Sequence, residues 1–261
     1  MELVTLSEQE LTAYLGSFLW PLFRIAGFMM VAPVIGSQLV PARIRLIAAV
    51  AVTVVVAPVL PAMPQLEPLS LQALVIVAQQ LFIGILLGFF LQMIFQVLVL
   101  AGQMIAMQMG LGFASMMDPT NGVNVAVVSS FYLMFTTALF IAFDGHLEML
   151  RVLVESFYSV PVLPSLANGD GITIAIVSQI SWIFSSAMLI ALPALTALLI
   201  SNFAFGIMTR AAPQLNIFAL GFPVALMFGL FLIWLTLPTV GEVAAGLFDQ
   251  GFDVLRNAMM L

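Results

Sequence analysis

One short segment of this chain, residues 144–148, combines a histidine with two carboxylates that could take part in acid–base chemistry. His146, the only histidine, stands between Asp144 and Glu148, and an imidazole beside two carboxylates could relay a proton. A hydrogen-bonded loop residue is the favoured interpretation of His146. The acids of this chain lie between its apolar stretches or near their ends. No nucleophile–base pair or carboxylate pair lies inside a stretch, so the sequence does not support an intramembrane enzyme.

Metal, cofactor and nucleic-acid chemistry are equally unsupported. One His and no Cys cannot build a His-rich or Cys-ligated metal site, and no Gly-rich loop suits a phosphate. We therefore expect no catalytic residue, no metal and no cofactor. Six basic residues against twelve acidic ones leave no basic patch for nucleic acid. The chain is 63% hydrophobic and 7% charged, with a mean hydropathy of +1.22, which indicates an integral membrane protein.

Apolar stretches supply the elements that would position any site. There are six, over residues 13–35, 46–60, 71–101, 125–143, 172–209 and 217–237. The third and fifth exceed the roughly 20 helical residues that cross a bilayer core. A straight helix over 172–209 would measure about 57 Å against a core of about 30 Å. We expect an all-α membrane protein of about six long, partly broken helices, either with a hairpin or kink at Pro193 or with apolar parts that partner chains cover outside the lipid.

The arginines predict the orientation. If the N-terminus lies outside and each stretch crosses once, Arg43, Arg45 and Arg210 fall in cytoplasmic loops, while most of the acids fall outside. Both termini are then periplasmic. Arg24 is the only charge well inside a stretch. It either pairs with a group on another helix or chain, or lies near a helix end and extends to the membrane surface.

A stripe of glutamines marks one helix face. Gln92, Gln96 and Gln103 fall within about 40° of one another on a helix, so this face must meet other helices or water. Gly84 and Gly88 form a pair of small residues that allows close helix approach. Helix packing is the favoured interpretation of the glutamine stripe, and pore lining is the alternative.

A methionine-rich segment follows the stripe, from residue 104 to 117, before Asp118-Pro119. Methionine is deformable, and Gly110 and Gly112 loosen the backbone. In the orientation above, the segment dips back towards the membrane as irregular backbone, which is tolerated only inside protein or along a cavity. It could be a soft seal in a pore, although ordinary core packing is favoured by composition alone. The tight turn over 210–216, with Arg210, Pro213, Gln214 and Asn216, suits a cytoplasmic hairpin tip.

Several of these segments resemble the FliR family of type III export-gate subunits, which is related to the T subunits of virulence secretion systems. The resemblance rests on residues 108–114, Asp118-Pro119, Ser156-Phe157 with Pro161, and residues 191–194. It rests above all on the block over 210–223, which favours a flagellar over a virulence system, and it spans nearly the whole chain.

The resemblance implies a fold and partners that composition does not show. It implies no enzymatic activity and a closed helical ring with FliP and FliQ, with FlhB at the cytoplasmic side. Unfolded flagellar rod, hook and filament subunits would pass through this ring, in the bacterial inner membrane at the flagellar basal body. Residues 1–167 would be a FliP-like part with a plug loop near 104–122. Residues 168–261 would be a FliQ-like helical hairpin.

In this family a loop near the middle of the chain plugs the channel. Carried over, the plug comprises Met107, Met109, Gly110, Leu111, Gly112, Phe113, Met116 and Met117. The soft-seal interpretation and the family role meet on these residues, so a gate segment becomes the favoured interpretation. A homologous virulence subunit and, less favoured, a self-contained membrane transporter remain as alternatives.

Overall fold

The computed structural model describes residues 8–37, 39–67, 70–112, 127–162, 170–211 and 217–260. These ranges contain seven α-helices and no β-strand, which confirms the predicted all-α class. The helices are α1 (Glu8–Val31), α2 (Ala42–Val56), α3 (Leu71–Gln108), α4 (Val127–Ala142), α5 (Gly145–Ser159), α6 (Asp170–Ala211) and α7 (Ile217–Met260). A short 3-10 turn, Ala57–Val59, continues α2.

In the part of the chain that the structure describes, four helical segments are long and apolar enough to cross a membrane, which makes this a multi-pass membrane protein. They are Ala42–Val59, Leu71–Gln108, Val177–Ala211 and Gly221–Met259. The pair α4 and α5, broken at Phe143-Asp144, would make a fifth span if it crosses as one. The apolar part of α1, Gly16–Val31, is shorter than the other candidates.

Burial differs sharply among these spans. In the most apolar part of α3, 61% of the residues are buried within the chain. The buried fraction of the most apolar part is only 11% in α2, 28% in α6 and 22% in α7. Large apolar side chains such as Ile200, Phe203 and Trp234 are therefore exposed on this single chain. Surfaces of this kind are stable only against lipid or against other apolar protein.

Two helices extend beyond the apolar stretches that mark them, because hydropathy does not report helix length. The third stretch ends at residue 101, whereas α3 continues to Gln108. The last stretch ends at 237, whereas α7 continues through Pro238 to Met260. Beyond Pro238 the buried positions, Val240, Ala244, Leu247, Phe248, Gly251, Phe252 and Leu255, recur every three or four residues. One face thus stays apolar while acids occupy the other, which keeps the segment helical.

The loop predicted at His146 is wrong. Asp144 adopts a left-handed conformation with φ of 55°, and α5 begins at the next residue, so His146 lies exposed in the first turn of a helix. Helix α5 contains many polar side chains, so hydropathy alone does not identify it. Its buried residues, Met149, Val152, Leu153, Ser156 and Phe157, nevertheless follow helical spacing.

Proline does not divide α6. Pro193 lies inside one continuous helix from Asp170 to Ala211, so the predicted hairpin at this residue is wrong. Pro21, Pro223 and Pro238 are likewise internal to α1 and α7. Prolines are tolerated inside apolar helices when neighbouring groups or local adjustment satisfy the freed backbone carbonyl.

The chain forms two compact units, which we describe separately. The first comprises Met1–Met93, Asp144–Ser178 and Gln250–Leu261, and the second comprises Ile94–Phe143 and Gln179–Asp249. The division into a FliP-like part over 1–167 and a FliQ-like part over 168–261 concerns family descent rather than contacts, and it stays a prediction.

Candidate gate segment and its supporting residues

A glycine-capped turn ends α3 within the candidate gate segment, of which residues 104–112 are described. Gly110 has a φ of 88°, which is the left-handed region that favours glycine. Its N–H donates to the carbonyl of Met107 at 3.1 Å, and the N–H of Leu111 donates to the carbonyl of Ala106 at 3.0 Å. This pair of bonds is the Schellman arrangement, which satisfies carbonyls left open at a helix end. Residues 104–108 are therefore helical, which contradicts the prediction of irregular backbone there, and a turn follows over residues 109–111. The rest of the segment, from Phe113, lies outside the described residues.

The two described methionines of the turn have opposite environments. Met109 is 0% exposed, whereas Met107, two residues earlier, is 66% exposed. The side chain of Met109 fits against Gly229 of α7, where an added Cβ would overlap its Cγ. A Cβ on Gly110 would lie 3.0 Å from the Phe222 ring, also on α7. The turn is thus packed on one side and open at Met107.

Helix α6 also holds the end of α3. The Asn202 side-chain amide donates to the carbonyl of Gln108 at 3.4 Å, a long bond to a group that the helix end leaves open. Leu111 and Gly112 are half-buried. Phe113, Met116 and Met117 lie outside the described residues, so their assignment to the plug stays a prediction.

The glutamine stripe is only partly covered by the described part of the chain. Gln96 and Gln103 are exposed, and Gln92 is half-buried. The choice between pore lining and helix packing stays open.

Gly84 and Gly88 lie where α3 touches α1 backbone to backbone. A Cβ on Gly84 would overlap the carbonyl oxygen of Arg24, and one on Gly88 would lie 2.9 Å from the carbonyl oxygen of Phe28. A third glycine, Gly27 on α1, approaches the carbonyl of Leu81 in the same way, at 2.7 Å. Contacts this close are possible only without side chains.

This close approach brings Arg24 into the interior of the first unit. Its side chain is 0% exposed, so it does not extend to the membrane surface. Its Nε donates to Gln80 Oε1 at 2.7 Å, and its Nη1 donates to the carbonyl of Ser156 at 2.7 Å. Its Nη2 donates to the carbonyl of Val160 at 2.8 Å, and its Cζ lies 4.2 Å from the centre of the Phe157 ring.

Arg24 therefore joins α1 to α3 and α5 without an acidic partner in this set. The carbonyls of Ser156 and Val160 belong to the C-terminal end of α5, where the helix dipole is negative and favours a cation. The guanidinium also stacks on an aromatic ring, which adds cation–π attraction. The predicted alternative of a partner on another helix is the one that the structure shows.

A cluster of charges that sequence reasoning missed joins α5 to the end of α7. Arg256 Nε lies 3.0 Å from Glu155 Oε2, and Arg256 Nη2 contacts Glu148. Arg151 Nε lies 3.2 Å from Glu155 Oε1 on the same helix. The spacing of Glu148, Arg151 and Glu155 by three and four residues was the available signal. The ion pairs of Arg256 link α5 to the C-terminal end of α7.

The predicted hairpin turn is described only in part. Arg210 is exposed in the last turn of α6, where its charge complements the helix dipole. Pro213, Gln214 and Asn216 lie outside the described residues. Helix α6 ends at Ala211 and α7 begins at Ile217, so the connection is short. Its cytoplasmic location stays a prediction.

Within the ranges given above, no group of three or more His, Cys, Asp or Glu residues could hold a metal ion.

The family model described as "Bacterial export proteins, family 1" matches residues 15–251. The chain belongs to this export family. "Flagellar biosynthetic protein FliR" of Pectobacterium carotovorum subsp. carotovorum is 35% identical over 257 residues, covering 98% of both chains. The protein of the same name from Escherichia coli (strain K12) is 36% identical over 251 residues, covering 96% of this chain and 95% of the relative.

A more distant relative of that name, from Aquifex aeolicus (strain VF5), is 29% identical over 262 residues, covering 98% of this chain and 96% of the relative. The resemblance to the FliR family drawn from the sequence is thus confirmed. Because these matches run almost end to end, export-family membership applies to the whole chain rather than to one motif.

Replacing Arg24 tests whether it stabilises the first unit. In Arg24→Met, the Ser156 and Val160 carbonyls and the Gln80 amide lose a charged donor in a buried site. We expect a loss of stability of about 3 kcal/mol or more, since each stranded acceptor costs about 1–3 kcal/mol. The measurement is the midpoint of heat-induced dissociation of the purified protein or complex.

Arg43→Met is the matched control, because Arg43 is exposed. Arg24→Lys should give an intermediate loss, since lysine keeps the charge but cannot reach acceptors on two helices at once. Equal midpoints for Arg24→Met and Arg43→Met would show that the buried contacts do not stabilise the unit.

Proposed function

We propose that the chain is a core subunit of the flagellar type III protein export gate, which unfolded flagellar subunits use to cross the inner membrane. The observation that carries this proposal is the near full-length match to flagellar biosynthetic proteins FliR from several bacteria, within a family of bacterial export proteins. The apolar helices are consistent with a membrane channel subunit rather than with a soluble export factor.

We further propose that FliP and FliQ cover this chain in a closed helical ring, with FlhB at the cytoplasmic side. Helix α6 has 42 residues, which corresponds to about 63 Å against a bilayer core of about 30 Å. Tilting cannot absorb such a difference. Since only 28% of the most apolar part of α6 is buried within the chain, other protein chains are needed to cover what lipid cannot.

The proposed gate is the segment near 104–122. Its described part, up to Gly112, carries no charge, and Met107 offers a deformable, exposed thioether. An apolar constriction can close a pore to ions by excluding water, without a charged lock. Many weak contacts can be broken and remade as each exported chain passes. Rod, hook and filament subunits are the proposed substrates.

A self-contained transporter has less support. Ion-coupled transporters keep an ionisable group available in mid-membrane. Arg24 is the one charged side chain that is buried among the described residues, and neutral groups of its own chain occupy its three guanidinium nitrogens. A virulence-type export subunit would share the same geometry, and the names of the relatives favour the flagellar system.

Deleting Gly110 to Ser115 tests the gate directly. The complex should still assemble, because the deletion leaves intact the long helices that would contact the partner chains. The pore should leak ions, which would slow growth of overproducing cells. The measurement is ion leakage and secretion of flagellin, with copurification of FliP and FliQ as the assembly control. A deleted protein that assembles, stays ion-tight and exports normally would place the gate elsewhere.

Reporter fusions test the proposed orientation, in which both termini are periplasmic. It rests on the positions of Arg43, Arg45 and Arg210. A periplasm-active enzyme fused after Leu261 should be active, and the same enzyme inserted near Gln214 should be inactive. The reversed pattern would overturn the orientation.

A further inference from the structure

The turn over residues 109–111, inside the gate segment, is held from two sides. On α7, Gly229 leaves a hollow that the Met109 side chain fills, and Phe222 lies against Gly110. On α6, Asn202 donates to the carbonyl of Gln108. Gly229 is itself buried, so the contact lies in the interior of the second unit.

Local backbone structure supports the same position for the turn. The Schellman bonds from Gly110 and Leu111 fix the direction in which the chain leaves α3. Undocking Met109 would expose a completely buried side chain and leave an empty hollow beside Gly229, which costs both apolar burial and contacts. Met107, by contrast, is largely exposed on this chain, so moving it would disrupt little packing among the described residues.

We propose that Met109 is a fixed anchor of the gate segment and that Gly229 is the positioning residue that holds it. This inference rests on the proposed gate function. It divides the candidate plug residues into two kinds: Met109 stays docked on α7 while chains pass, and Met107 contributes to the soft seal. Gly229 acts through Met109 and does not touch the exported chain.

A disulfide between positions 109 and 229 tests the anchor. The natural chain has no cysteine, so an introduced pair is the only one present. The Sγ of a cysteine at 109 would take the place of the Met109 Cγ, beside the Cβ of residue 229. Met109→Cys combined with Gly229→Cys should crosslink within the chain in the assembled complex. Flagellin secretion should be equal under oxidising and reducing conditions.

The matched control is Met109→Cys with Gly246→Cys. Gly246 lies on the same helix, and no atom lies within 4 Å of a Cβ built there, so this pair should not crosslink. Failure of the 109–229 pair to crosslink in the assembled complex would overturn the docked geometry. Secretion that falls at least tenfold on oxidation and returns on reduction would show that Met109 must undock, which overturns the fixed anchor.

A second set of variants covers the case in which the cysteine pair prevents assembly. Gly229→Ala should cause ion leakage because its Cβ displaces Met109, whereas Gly246→Ala should not. In a Met109→Ala background, Gly229→Ala should add no further leakage, since the displaced atoms are gone. Equal added leakage in both backgrounds, or none in the natural one, would overturn the anchor.

The deletion of Gly110 to Ser115 serves as the reference in both experiments. If the deletion leaks and the Gly229 variants have no effect, the anchor is wrong and the gate assignment stands. If the deletion is tight as well, the gate assignment itself is wrong.

Discussion

A helix that is too long and too apolar for one bilayer constrains everything else in this structure. Helix α6 exceeds the thickness of the hydrocarbon core about twofold, and only 28% of its most apolar part is buried within the chain. Water cannot cover such a surface, and lipid can cover only about half of its length. The chain is therefore suited to being one part of a larger helical assembly, and its inner contacts secure only what the chain must hold by itself.

Those inner contacts use two means of bringing helices together. In the first unit, Gly84 lets α3 approach α1 closely enough for Arg24 to bond to Gln80 on α3 and to the C-terminal end of α5. In the second unit, Gly229 accepts the Met109 side chain where α3 ends. In both arrangements a glycine lacks a side chain, and a neighbouring group occupies the space beside it. A larger residue at either position would push that neighbouring group away.

Sequence reasoning found what composition and periodicity carry, and it missed what depends on tertiary contacts. Hydropathy placed the membrane class and the starts of α3 and α7 but not the charged end of α7, where Glu242 and Asp249 hide a continuing apolar face. Helix α5 was missed for the same reason. The difference between Met107 and Met109 is invisible in composition, because it depends on where α3 ends and on which side α7 lies. Gly110 after a helical run was the one local signal of that end.

The mass of the particle that forms in the membrane tests the central claim most directly, namely that this chain is a subunit whose surface other proteins must cover. The chain would be produced alone and together with FliP and FliQ from the same organism, and each detergent-purified product would be measured by native mass spectrometry. The account predicts little recoverable or aggregated protein from the chain alone, and a discrete particle containing all three proteins from the co-expression. A monodisperse, folded monomer or homodimer that does not take up FliP and FliQ would contradict it.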